Sequence, residues 1–80
     1  MNEVATYAEL THDGEKYLWG LMDAYAENGV EVEGLEGQVI NQLAEEEWGS
    51  FGVKVVEVED VEGEVHEVVI EPWHWRVVTY

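Results

Sequence analysis

No cysteine occurs in the chain. That absence excludes disulfide staples and thiolate metal sites, so the fold must be held by apolar packing alone. Basic residues are nearly missing as well. Lys16, Lys54 and Arg76 are the full set against 19 carboxylates, which gives a formal charge of −16. Nucleic acid and anionic membranes are polyanions and make poor partners for such a chain. No apolar run reaches the roughly 18–20 residues of a membrane span, and Met1-Asn2-Glu3-Val4 lacks the basic and apolar regions of a signal peptide. The expectation is a cytoplasmic protein. No G-x-S-x-G, P-loop or G-x-G-x-x-G pattern is present. A chain this short has little room for a substrate pocket beside a core, so no enzymatic activity and no cofactor are expected.

What is present is enough to build a core. Hydrophobic residues make up 46% of the chain, including four Trp, four Tyr and one Phe. This is not the low-hydrophobicity mix of a disordered chain. Its 80 residues form one domain, 1–80, near the lower end of what folds without staples. Self-repulsion works against a net stability of only about 5–15 kcal/mol, so the charge imbalance needs a reason.

Val4–Leu10 alternates loosely and reads as a short strand. Asp13-Gly14 suits either a hairpin turn or, with Thr11 or Asp13 as cap, the start of a helix to about Glu27. Leu18, Leu21, Met22 and Tyr25 share one helical face, and Asn28-Gly29 is a suitable stop, so the helix is preferred. An alternating connector, Val30–Gly34, leads to a second helix over Leu35–Trp48 with Leu35, Val39, Ile40, Leu43 and Ala44 as its stripe. Phe51–Glu59, Glu64–Glu71 and Trp73–Tyr80 then read as strands, with Asp60–Gly63 as a turn. The expected architecture is α+β: two helices packed on a small antiparallel sheet of three or four strands.

Two groups of acids sit against local rules. Glu45, Glu46 and Glu47 fall in the last turn of the second helix, where the dipole favours cations. Glu57, Glu59, Asp60, Glu62 and Glu64 crowd the hairpin. Three- and four-residue loops both fit, and the longer one would set Glu59 directly against Glu64. Sites where such rules fail without compensation are where function is sought. Glu31/Glu33, Glu57/Glu59 and Glu62/Glu64 are spaced i, i+2, about 6.6 Å on a strand, close to neighbouring phosphates of one nucleic-acid strand. Trp48 beside the triplet offers an aromatic anchor. In Trp73-His74-Trp75-Arg76, strand alternation puts both Trp on one face, where the preferred reading packs them against the helices and the alternative leaves them as an exposed patch that anchors a partner. His12, His66 and His74 lack ligand spacing, so they read as surface histidines and no metal site is expected.

A small, Cys-free, Lys-poor, Glu-rich single domain resembles the nucleic-acid-mimic inhibitors of phages and mobile elements. These include anti-CRISPR, anti-restriction and uracil-glycosylase-inhibitor proteins. The resemblance lies in composition and in the acidic stretches Glu27–Glu47 and Glu57–Glu71. It implies a DNA mimic that occupies the groove of a basic nucleic-acid-binding protein, such as a CRISPR effector subunit, in the host cytoplasm. The resemblance carries no residue roles; the placement of the acids along the chain gives the expected partner-binding set as Glu31, Glu33, Glu36, Glu45, Glu46, Glu47, Trp48, Glu57, Glu59, Asp60, Glu62 and Glu64. Two rivals share the composition: a domain of a halophilic organism, and a generic acidic interaction module. Monomer and homodimer both remain open.

Overall fold

The computed structural model describes residues 6–44 and 52–79. In chain order they form β1 (Thr6–Leu10), α1 (His12–Glu27), α2 (Leu35–Ala44), β2 (Lys54–Glu59), β3 (Val65–Ile70), a 3-10 turn (Pro72–His74) and β4 (Trp75–Thr79). The domain is α+β, but its strands do not join in one sheet. β1 pairs with β4 and β2 with β3, each antiparallel, as two separate pairs. Alternate residues of an antiparallel strand direct N–H and C=O away from the partner. At Glu59 of β2 those outward groups are taken by a side chain. Gln38 of α2 accepts from Glu59 N–H (2.7 Å) and donates to Glu59 C=O (2.9 Å). α2 packs against both β1 and β2, so the pairs meet through a common core and not through a ladder.

That core draws on every layer. Leu35, Val39 and Leu43 of α2 are buried at i, i+4 and i+8, and they meet Leu18 of α1, Val56, Val58, Val68 and Ile70 of β2–β3, and Ala8, Leu10 and Trp75 of β1–β4. Each of the larger side chains contributes about 1.5–3 kcal/mol by leaving water. Of the wider stripe expected on α2, Ile40 packs at the core's edge and Ala44 is exposed.

α1 starts at a cap and not at a hairpin turn. Thr11 Oγ1 accepts from Gly14 N–H at 3.1 Å, satisfying an end group of the helix. The same hydroxyl donates to Trp73 C=O (2.6 Å), and Thr11 N–H donates to His74 C=O (3.0 Å). These bonds draw the 3-10 turn so close to α1 that a Cβ on Gly14 would lie 1.9 Å from His74 O. The helix ends at Asn28, with Gly29 at φ 74°. That conformation penalises any side chain.

Pro72 changes the outcome for the two C-terminal tryptophans. It opens the 3-10 turn, so strand alternation begins at Trp75 and not at Trp73. Trp75 enters the core while Trp73 stays 60% exposed. His74 is buried, contrary to its expected surface position. Its ring stacks on Tyr17 at 4.3 Å, and Nδ1 accepts from Glu71 N–H at 3.0 Å.

Candidate functional site

The hairpin turn is set by one carboxylate. β2 and β3 pair with Glu59 opposite Val65, and one step further Asp60 N–H donates to Glu64 C=O at 2.9 Å, which leaves Val61-Glu62-Gly63 as a three-residue loop. Gly63 has φ 86° and its N–H donates to Asp60 C=O at 3.0 Å. This is the turn-plus-left-handed-glycine geometry that such loops favour. Asp60 Oδ1 accepts from Glu62 N–H and Glu64 N–H, both at 2.9 Å, and Oδ2 lies 2.8 Å from His66 Nε2. The His66 hydrogen bond first, and then the Glu64 N–H, hold the Asp60 carboxyl below the usual carboxylate range.

Asp60 is therefore not a free acidic contact. It was expected on the partner surface, but its side chain is only 5% exposed and its oxygens are engaged inside the turn. Of the two loop lengths that fit the sequence the shorter is the one formed, so Glu59 does not face Glu64. The directly opposed like charges are instead Glu57 and Glu67, midway along the hairpin.

Around this turn the fold gathers two acidic segments distant in sequence. Val61 N–H donates to Glu31 C=O at 2.9 Å. Gln38 Nε2 donates to Glu33 C=O (3.0 Å) as well as to Glu59 C=O. The connector is thereby stitched to the hairpin tip, and Glu31, Glu33, Glu59, Glu62 and Glu64 are all exposed beside one another. Val32, buried between Glu31 and Glu33, fixes both outward. Glu36 lies in the first turn of α2, where its charge suits the helix dipole. Glu57 stands on the outer face of β2, away from the tip. Glu45, Glu46, Glu47 and Trp48 lie outside the described residues.

The cations are placed elsewhere. Lys54 begins β2 at the open end of the hairpin, Lys16 is on α1, and Arg76 Nε donates to Glu9 Oε2 at 3.3 Å across β1–β4. That bond raises the Arg76 pKa, with Glu9 as the cause. Both partners are largely exposed, so it adds little to stability. Burial raises the pKa of Tyr17 and of Tyr25.

Among the described residues, Asp60, Glu64 and His66 have ligand atoms within 4.8 Å of one another, the spacing of a cation site. Asp60 already spends both oxygens on N–H groups and on His66, so a cation there would displace an existing hydrogen bond.

Two features were not foreseen: the joint made by Gln38, and the internal use of the Asp60 carboxylate within the turn expected at Asp60–Gly63. Gln38 gave no signal, since a Gln on a helix surface is ordinary. Asp60 did give one: Asp at the first and Gly at the fourth position of Asp60-Val61-Glu62-Gly63 is the pattern of a type I turn. An apolar groove of about 570 Å³ also opens between α1 and the connector, lined by Met22, Ala26 and residues 29–34. Met22, expected on the buried face, is 43% exposed because Leu18, Leu21 and Tyr25 supply the contacts to the core.

What these features define is a small α+β domain with an ordered acidic face. No protein-family model, curated protein or solved structure matches the chain. Among the described residues no helix is long and apolar enough to cross a membrane.

Proposed function

We propose that the protein is an acidic mimic of nucleic acid that inhibits a basic nucleic-acid-binding protein by occupying its groove. The observation that carries this reading is the stitch between Glu31 C=O and Val61 N–H, reinforced by Gln38. It turns two separate acidic segments into one surface with fixed geometry. A Lys/Arg groove gains most of its affinity from neutralising phosphates. Carboxylates already held in place can meet the same cations without the ordering entropy of a flexible acidic tail. They also steer encounter at long range. Glu45, Glu46, Glu47 and Trp48 extend the proposed contact surface on sequence grounds. A CRISPR effector subunit or a restriction enzyme is the kind of target this surface suits.

The test is capture of the partner from host lysate at moderate salt, followed by competition with duplex DNA. DNA should release the captured protein, and the variant Glu31→Lys/Glu33→Lys/Glu62→Lys/Glu64→Lys should capture at least about tenfold less, since each lost charge-assisted contact is worth on the order of 1 kcal/mol or more. A captured protein indifferent to DNA, or a variant that captures normally, overturns the reading.

A further inference from the structure

The acidic face adjoins an apolar one. Glu15, Trp19, Met22 and Ala26 follow one another along α1 at i, i+4, i+7 and i+11, a single helical face. The groove beneath Met22 and Ala26 continues past Gly34 into a second depression of about 450 Å³ beneath Trp19. Its floor is apolar, with Val30 half-buried and Leu35 in the core. Trp19 and Met22 stand on its wall at 52% and 43% exposure. Leaving two large apolar side chains in water costs a small domain stability, and such a concentration on one face marks a contact surface. Trp and Met are also suited to it. Trp supplies a large rigid anchor, and Met adapts to the shape of whatever it meets.

The rim decides the occupant. Glu15, Glu31, Glu33 and Glu36 border the two depressions, and no Lys or Arg lines either. A second copy of the chain would bring the same carboxylates against one another. An anionic lipid surface would be repelled in the same way. A partner with cations flanking an apolar ridge satisfies both parts. From Glu15 to Ala26 the face runs about 16 Å, or roughly three helical turns.

We infer that this groove receives an amphipathic basic helix of about three turns from a protein partner, with apolar residues at i, i+4 and i+7 between flanking Lys or Arg. The helix-in-groove arrangement makes the apolar wall the source of selectivity and the carboxylates the source of attraction. The inference rests on reading the acidic face as a protein-binding one, and it names the part of the partner that would reach beyond charge.

Two synthetic peptides of equal charge test it. One carries Leu at i, i+4 and i+7 between lysines, and the other carries Ser at those positions. With isotopically labelled protein, the Leu peptide should shift the Met22 methyl and Trp19 indole resonances and bind at least tenfold more tightly than the Ser peptide. Trp19→Gln/Met22→Gln keeps the charge and replaces exposed residues with a good helix former, so its melting curve should be preserved. This variant should lose the tenfold preference. Equal binding of both peptides, or an unchanged preference in the variant, overturns the inference while leaving the acidic face intact as a binding surface. Concentration-dependent Met22 shifts without peptide, with dimer in sedimentation, overturn it in favour of a second copy. If DNA fails to release the captured partner while the Leu preference holds, the nucleic-acid-mimic reading fails and the groove stands.

Discussion

Gly14 shows how little freedom a single position can have. His74 C=O occupies the space of its missing side chain, and the obstacle is backbone that cannot rotate away. Gly14→Ala should therefore lower stability by at least about 2 kcal/mol despite the better helix propensity of Ala. Gly20, also in α1, has nothing within 4 Å of a Cβ. Gly20→Ala should raise stability by up to about 1 kcal/mol. Urea denaturation of the pair checks both signs. Asp60 gives a pH dependence. Its carboxyl titrates lower in the folded than in the unfolded chain, chiefly through His66. The folded state thus holds fewer protons, and the stabilisation is complete above the ordinary Asp range near pH ~4 and is lost as pH falls through the lowered folded value. Acidification also relieves the repulsion of −16 charges, so the wild-type curve mixes two effects. Subtracting the melting profile of Asp60→Asn isolates the Asp60 part, which should shrink steadily below about pH 4.

At the scale of elements, Gln38 is the joint between helix, connector and hairpin. Gln38→Ala removes three hydrogen bonds and leaves the outward groups of Glu59 to water. The expected loss is about 1–2 kcal/mol, with faster amide hydrogen exchange at Glu59 and Val61 and little change in β1–β4. This joint also explains where sequence reasoning stopped. Local pattern located both helices and all four strands, because the stripe Leu35, Val39, Leu43 and the alternation of Val56 and Val58 are written in consecutive residues. The pairing of strands is not local. It depends on Gln38 filling the edge of β2 and on Pro72 delaying β4, and neither residue advertises its partner. The candidate site divides in the same way. The acids of the connector and tip were visible as composition, whereas their meeting through Glu31 and Val61, the internal use of Asp60, and the groove beside Trp19 required the tertiary fold.

At the scale of the molecule, charge and core oppose each other. One contiguous apolar cluster holds both strand pairs and both helices, against a formal charge of −16. Raising salt from about 10 mM to about 1 M shortens the screening length from about 30 Å to about 3 Å. The melting temperature should rise across that range, with the protein already folded at its lower end. A chain unfolded at about 10 mM salt and recovered only at molar salt would instead behave as a halophile's domain. Sixteen Glu against three Asp argue against that outcome, since solvation pressure alone draws on both. The pairing of β1 with β4 carries a consequence for synthesis on the ribosome. Leu10 pairs with Trp75 and Thr6 with Thr79, so β1 emerges before α1, α2 and the β2–β3 hairpin and waits for all of them before its partner exists. The β2–β3 hairpin, closed by the short Asp60 turn, can form while β1 still has an open edge. During that interval dense negative charge on the nascent chain repels neighbouring copies on the same message, and it guards the waiting strand against pairing with the wrong one.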